Sequence, residues 1–159
     1  MREFVKFRQR AAAYVLRLRP GTAEVEVLVM LHRDAPEAGV QIPGGGAHPH
    51  ETVGEAAVRE AWEETGVGGL VFGEALGNKL MRGPEYPWGH QVTTYSWLRT
   101  DEVRDAWDHT VVVSGDEDDG LRMHCEFRPV ALAGIDFEMD FLLPMAAARF
   151  TVARQAAVG

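Results

Sequence analysis

The chain has 159 residues, of which 46% are hydrophobic and 25% are charged, a composition typical of a soluble globular domain with a buried core. The formal net charge of −8 argues against partners that need a basic surface, namely duplex nucleic acid and anionic membranes. The single cysteine excludes an intrachain disulfide framework and a multi-cysteine zinc site, and no apolar run reaches the roughly 20 residues that a membrane helix needs.

The first half of the chain predicts three strands and one helix. Two segments rich in valine and leucine, 11–19 and 24–33, predict strands separated by a turn at Pro20-Gly21. After a loop over 34–39, a short strand at 40–42 ends at the turn Pro43-Gly44-Gly45-Gly46. Residues 52–65 predict a helix, which Gly66 is well placed to end.

The second half predicts further strands and a second helix. Strands are expected at 70–80 and 91–99, and the segment 101–107 fits either a short helix or a loop. The last strand is expected at 126–132, and the apolar segment 137–150 predicts a C-terminal helix that Pro144 would kink. This order predicts an α/β protein with a central mixed sheet between helices, in a single domain over 1–159.

The helix predicted over 52–65 carries three carboxylates on one face. At about 100° per residue, Glu60, Glu63 and Glu64 fall within an arc of about 100° over little more than one turn. The small side chains of Ala56 and Ala57 on the same face leave the carboxylates unshielded. The other side of the helix is expected to pack through five residues, Gly54, Val58, Ala61, Trp62 and Thr65.

The carboxylates of this helix have few basic partners, because Arg59 is its only basic residue and lies four residues before Glu63. A solvated acidic face is the plain interpretation of such a helix. The alternative is a site for a divalent cation, for which an all-oxygen ligand set favours Mg²⁺ or Mn²⁺ over zinc. The glycines at 44–46 support the second interpretation, because they let the backbone approach a pyrophosphate closely beside a helix N-terminus.

A longer pattern contains both features. Gly45, five residues, Glu51, seven residues and then Arg59-Glu60-Ala61-Trp62-Glu63-Glu64-Thr65-Gly66-Val67 resembles a complete Nudix box, and Ile42-Pro43-Gly44 resembles the segment that usually precedes it. The local departure is His50, at a position where this family commonly has glycine. The resemblance implies a Nudix-type α/β/α sandwich with a central mixed sheet.

The resemblance also implies an activity. The chain would be a metal-dependent pyrophosphohydrolase that cleaves a nucleoside diphosphate linked to another moiety, by attack of water on a phosphorus of the pyrophosphate, with Mg²⁺ or Mn²⁺ as cofactor. By position in the box, the metal ligands would be Gly45, Glu60, Glu63 and Glu64. Arg59 would orient a glutamate, with Glu63 as the first candidate, and the backbone at Gly44 and Gly45 would contact the substrate.

Two roles stay open in the sequence. The catalytic base comes either from the helix, as Glu63 or Glu64, or from a later segment, where Glu117 and Glu126 are the candidates. Tyr86 and Trp88, in the connection after the strand at 70–80, either stack on a nucleotide base or take part in ordinary packing.

The expected partner is a small-molecule, nucleotide-type substrate. Neither a membrane nor a nucleic acid is expected, and a homodimer is compatible with the family. The alternative function is a non-catalytic nucleotide-sensing module on the same fold, since fold alone does not determine function. The presence of Glu60, Glu63 and Glu64 together favours the enzyme. We expect a cytoplasmic location, because residues 1–10 lack the pattern of a secretory signal.

Overall fold

The computed structural model describes residues 7–82, 89–113 and 118–158. These segments form eight strands and two helices, in chain order β1 (Phe7–Leu18), β2 (Val25–His32), β3 (Val40–Gln41), β4 (Gly44–Gly46), α1 (Val53–Thr65), β5 (Val71–Met81), β6 (His90–Arg99), β7 (Ala106–Thr110), β8 (Arg122–Pro129) and α2 (Leu143–Val158). Short 3₁₀ turns lie at Pro36–Ala38 and Val130–Leu132. Neither helix in the described ranges has an apolar stretch of the length that spans a membrane.

The sheet is mixed and is split near its middle. Its main strand order is β5-β6-β1-β2-β8-β7, with β1 and β6 parallel and the other neighbours antiparallel. Strands β1 and β2 pair only at one end, where Leu16 lies opposite Val27. Towards the other end β4 pairs with β1, with Gly45 opposite Ala11, while β3 pairs with β2. The split therefore brings the glycine strand β4 against the start of β1.

Two apolar clusters cover the two faces of this sheet. On one face, Ala11 and Val15 of β1 pack with Ala57 and Ala61 of α1. On the other face, Tyr14 and Leu16 pack with Leu143, Ala146 and Phe150 of α2. Burial of such side chains contributes about 25 cal/mol per Å² of apolar surface. The α/β/α sandwich with a central mixed sheet, predicted from the sequence, is confirmed.

Three local predictions were wrong. Residues 44–46, predicted as a turn, form strand β4, because the backbone of β1 offers them a partner. Residues 106–110 form strand β7, with alternating exposure, in place of the loop or short helix expected over 101–107. Helix α2 begins at Leu143, so Pro144 lies in its first turn, where a missing N–H costs nothing, and does not kink it.

Helix α1 begins and ends as the sequence predicts, but its rotation differs. Thr52 accepts a hydrogen bond from the Glu55 N–H at the start, and Gly66 ends the helix in the left-handed conformation with φ 67°. Trp62, which was expected to pack, is 61% exposed, whereas the line of alanines with Glu60 and Glu64 is buried. Close approach of α1 to the sheet admits alanine but not the bulk of tryptophan.

Ser96 provides a test of the core beneath α1. Its side chain is fully buried in β6, and its Oγ is the single buried side-chain oxygen or nitrogen in the described segments without a hydrogen-bond partner. An unsatisfied buried hydroxyl costs about 1–3 kcal/mol, so Ser96→Ala should raise the free energy of unfolding by about 1 kcal/mol in urea titrations.

Thr94→Val is the matched control for Ser96→Ala. The Thr94 hydroxyl donates to Asn78 at 2.7 Å and accepts from Gln9 at 2.9 Å, so its loss should lower the free energy of unfolding by about 1–3 kcal/mol. A loss of stability in Ser96→Ala as well would show that the Ser96 hydroxyl has a partner, such as a buried water.

Candidate metal centre

One guanidinium group gathers three carboxylates at the middle of α1. Arg59 donates to Glu51 through Nε at 2.8 Å and Nη2 at 2.9 Å. Its Nη1 donates to Glu60 at 2.9 Å and to Glu63 at 3.1 Å, and Nη2 also reaches the carbonyl of Gly46 at 2.9 Å. The sequence assigned Glu63 as the first partner of Arg59, but the two-point contact goes to Glu51.

The ion pair between Arg59 and Glu51 is largely shielded from solvent, with side-chain exposures of 19% and 13%. Hydrogen bonds from Arg59 lower the pKa of Glu51 to about 2, and Glu51 in turn raises the pKa of Arg59. The Glu51 carboxylate also accepts the His48 N–H at 2.9 Å. Glu51 therefore fastens the loop before α1 to the helix.

Glu64 is the most deeply placed carboxylate of the site. Its residue is 7% exposed, and one oxygen accepts the Gly44 N–H at 2.8 Å. Burial raises the pKa of Glu64 well above its ordinary value, and the negative charges of Glu60 and Asp118 raise it further. The Gly44 hydrogen bond and the charge of Arg10 oppose this rise in pKa. The ionised form of Glu64 is thus short of nearby positive charge.

The Glu60 carboxylate leaves no space for a side chain at position 45. A Cβ on Gly45 would lie 2.4 Å from the Glu60 carboxyl carbon and 2.5 Å from each of its oxygens. Gly45 pairs with Ala11 of β1, so the strand cannot easily move aside. Glu60 and Glu64 therefore both lie against the glycine strand β4, beside the backbone of Gly44 and Gly45.

The kind of ligand present suits a hard divalent cation. The acidic groups offer only oxygen, and a cation beside Glu64 would relieve the unfavourable burial of its charge. As the side chains lie, the described ranges hold no group of three acidic, histidine or cysteine residues that could hold a metal ion. Glu60 and Glu63 turn to Arg59 instead, so a cation has to compete with Arg59 for these two carboxylates.

The structure does not bring Glu126 to this cluster. Glu126 lies opposite Val29 on the face of the sheet that α2 covers, whereas its strand neighbours Cys125 and Phe127 face α1. Its carboxylate accepts hydrogen bonds from Arg128 at 2.9 and 2.5 Å. Three other residues singled out in the sequence lie outside the described ranges, namely Tyr86, Trp88 and Glu117.

Two side chains that touch the end of α1 were not predicted from the sequence. Trp107 donates its Nε1–H to the carbonyl of Thr65 at 2.5 Å, and His109 Nε2 lies 2.9 Å from the carbonyl of Glu63. A carbonyl oxygen only accepts, so His109 Nε2 carries the proton. Trp107 and His109 alternate with the exposed Asp108 and Thr110, and this alternation was the available signal for strand β7.

Comparison with known protein sequences agrees with this geometry. The family model described as NUDIX domain matches residues 8–137. Diphosphoinositol polyphosphate phosphohydrolase 3-beta of Bos taurus is 35% identical over 108 residues, which cover 67% of this chain and 60% of that protein. Diphosphoinositol polyphosphate phosphohydrolase 2 of Homo sapiens is 42% identical over 71 residues, covering 45% of this chain and 37% of that protein. The matches thus span less than two thirds of these relatives.

Solved structures show the same fold. The NUDIX domain of Shewanella oneidensis NrtR, complexed with ADP ribose, superposes with a TM-score of 0.64 at 16% identity, covering 92% of this chain and 90% of that chain. A C. elegans Ap4A hydrolase in a binary complex gives a TM-score of 0.57 at 16% identity, covering 96% of this chain and 99% of that chain. At such low identity, the likeness concerns the fold alone.

Removing the charge of Glu64 and removing that of Glu51 should change the stability of the protein in opposite directions. Because burial favours protonated Glu64 in the folded protein, wild-type stability should fall as pH rises above the unfolded pKa, and Glu64→Gln should stabilise the metal-free protein at pH 8. Glutamine keeps an oxygen for the Gly44 N–H. Glu51 has a lowered pKa, so its contribution is present above the unfolded pKa and is lost as pH falls towards 2.

Glu51→Gln should therefore destabilise the protein by about 1–3 kcal/mol at pH 8, because it leaves Arg59 without its two-point partner. Urea titrations of both variants in EDTA measure the two effects. A destabilised Glu64→Gln protein would contradict the account of Glu64 as a carboxylate that is unfavourable when ionised.

Proposed function

Because this chain belongs to the Nudix family, we propose that it is a metal-dependent pyrophosphohydrolase that cleaves a phosphoric anhydride bond in a phosphate-rich small molecule. The observation that carries the proposal is the packing of Glu60 and Glu64 against the backbone of Gly44 and Gly45. That packing places buried carboxylates beside a strand whose lack of side chains lets a pyrophosphate approach.

The proposed ligands of Mg²⁺ or Mn²⁺ are Glu60, Glu63, Glu64 and the carbonyl oxygen of Gly45. When bound, the cation would lower the pKa of a water molecule and offset negative charge on the phosphate oxygens. Arg59 would keep Glu60 and Glu63 near each other through its hydrogen bonds to both. Glu51 would hold Arg59 in place, so its role is to position the guanidinium.

We assign the proton-accepting role to the helix, to Glu63 or Glu64. Glu126 faces the other side of the sheet and is paired with Arg128, which argues against it. Glu63 and Glu64, in contrast, lie in the part of α1 that would hold the cation and a water bound to it. In this proposal, water attacks one phosphorus of the pyrophosphate, its proton passes to the helix carboxylate, and the other phosphate leaves.

Two arginines beside the glycine strand support a substrate with several phosphates. Arg10 lies opposite Gly46 in the pairing of β1 with β4, and the terminal nitrogen of Arg8 lies 3.3 Å from the position of a Cβ on Gly46. Guanidinium groups bind phosphate oxygens through paired hydrogen bonds. The names of the relatives point to diphosphoinositol polyphosphates and, among structures, to Ap4A. Dinucleoside polyphosphates and diphosphoinositol polyphosphates are therefore the first substrates to test.

The proposal is tested by turnover of these two substrate classes, ADP-ribose and nucleoside triphosphates, with Mg²⁺ and with Mn²⁺ and with products identified directly. Glu63→Gln and Glu64→Gln should each lower kcat by about 100-fold or more, because each removes charge from the proposed cation site. Glu126→Gln is the matched control and should stay within about twofold of wild type. Nucleotide binding without turnover of any substrate would favour the non-catalytic sensing module.

A second prediction concerns the close contact of Gly45 with Glu60. Gly45→Ala should displace the Glu60 carboxylate and raise the Mn²⁺ concentration for half-maximal rate by about tenfold or more. Gly46→Ala is the matched control, since the nearest atoms to its Cβ would be those at the end of the long Arg8 side chain, at 3.3 Å or more. Equal Mn²⁺ dependence in the two variants would remove Glu60 from the proposed ligands.

A further inference from the structure

The end of α1 is tied to one short segment, residues 100–109, which we name the helix clamp. Three of its side chains reach backbone carbonyls at the C-terminal end of the helix. His109 donates to the carbonyl of Glu63 at 2.9 Å, and Trp107 donates to that of Thr65 at 2.5 Å. Arg104 donates to the carbonyl of Gly66 at 3.3 Å.

Two further contacts extend the clamp to the turn after α1. The Thr100 hydroxyl donates to the carbonyl of Gly68 at 2.5 Å, and the Gly68 N–H donates to Glu102 at 3.3 Å. Glu102 also accepts from Arg104 at 2.7 Å. Five side chains of one segment therefore hold residues 63–68 in place.

The clamp is itself anchored to the core. The Trp107 ring packs against the Phe127 ring of β8, with centroids 6.0 Å apart. The Arg104 guanidinium lies over the Trp107 ring, 4.3 Å from its centroid. His109 fits closely over the end of the helix, because a Cβ on Gly66 would lie 2.7 Å from its Nδ1. The sheet therefore fixes the side chains that contact the end of α1.

The last turn of α1 needs such support. The final carbonyls of a helix have no partner within the helix, and its C-terminal end carries negative partial charge. Glu60, Glu63 and Glu64 all lie in the last two turns, and the last turn contains no basic residue. Like charges at this spacing, at the negative end of the helix dipole, favour fraying of the turn.

We propose that Trp107 and His109 are positioning residues that fix the last turn of α1, so that Glu63 and Glu64 keep the places from which they hold a divalent cation. This inference rests on the proposed function. Each donor satisfies a carbonyl one turn or less from these carboxylates, and each is fixed by packing on β8 or against Gly66. The hydrogen bonds of both side chains go to backbone carbonyls and not to the carboxylates.

The test uses the full chain with Mn²⁺ as the probe, and its binding is measured by electron paramagnetic resonance of free Mn²⁺, without substrate. Trp107→Phe keeps the ring but removes the N–H, and His109→Leu removes the donor. Each should raise the dissociation constant for Mn²⁺ by about tenfold. His109→Gln places an amide nitrogen near the former Nε2 and should restore affinity to within about twofold of wild type.

Asp108→Asn is the matched control on the same strand. Asp108 lies between the two clamp residues but is exposed and pairs with Arg33 and His124, away from α1. It should leave Mn²⁺ affinity unchanged. Hydrogen exchange of the peptide covering residues 58–68 should speed up in Trp107→Phe and His109→Leu and stay at the wild-type rate in His109→Gln and Asp108→Asn.

The outcomes distinguish a failure of the proposed positioning role from a failure of the proposed metal site. Wild-type affinity in both Trp107→Phe and His109→Leu, or equal loss in His109→Gln and His109→Leu, would overturn the positioning role. A wild-type protein that binds no Mn²⁺ would overturn the proposed metal site and, with it, this role for the clamp, even if exchange showed that residues 100–109 steady the helix.

Discussion

Neutralisation of buried carboxylates by Arg59 is the interaction on which the site depends. Carboxylates removed from water need a cation or several hydrogen bonds, because their desolvation is otherwise too costly. Arg59 donates hydrogen bonds to Glu60 and Glu63 of its own helix. It also donates to Glu51 in the preceding loop and to the carbonyl of Gly46 in the glycine strand. One side chain therefore fixes the helix, the loop and β4 relative to one another.

This arrangement requires α1 to lie very close to the sheet. The buried line of Ala56, Ala57 and Ala61 permits that approach, and Gly45 leaves space for the Glu60 carboxylate. A larger side chain at any of these positions would lift the helix and expose the carboxylates to water. The split between β1 and β2 completes the site, because it lets the glycine strand pair beside Ala11 and present its backbone to Glu64.

The sequence predicted the parts of the site that depend on local spacing. Thr52 and Gly66 mark the ends of α1, and helical periodicity places Glu60, Glu63 and Glu64 together. It could not predict the rotation of α1, because polarity alone would bury Trp62 and expose the glutamates, whereas packing against a glycine strand selects small residues. Strand β7 has only five residues, too few for alternation to be decisive, and so the clamp was missed. Which face Glu126 occupies follows from register, which a single strand does not reveal.

The net charge of −8 is compatible with a phosphate-rich substrate because two arginines lie beside the glycine strand. Many arginines of the described segments pair with carboxylates away from the site, among them Arg17 with Glu26, Arg33 with Asp108 and Arg122 with Asp34. Arg8 and Arg10 lie along β1 next to Gly46. Local charge at short range outweighs the distant net charge, which salt screens beyond about 10 Å. A phosphate at the glycine strand would therefore meet these guanidiniums and the cation held by α1, and the acidity elsewhere would have little effect on binding.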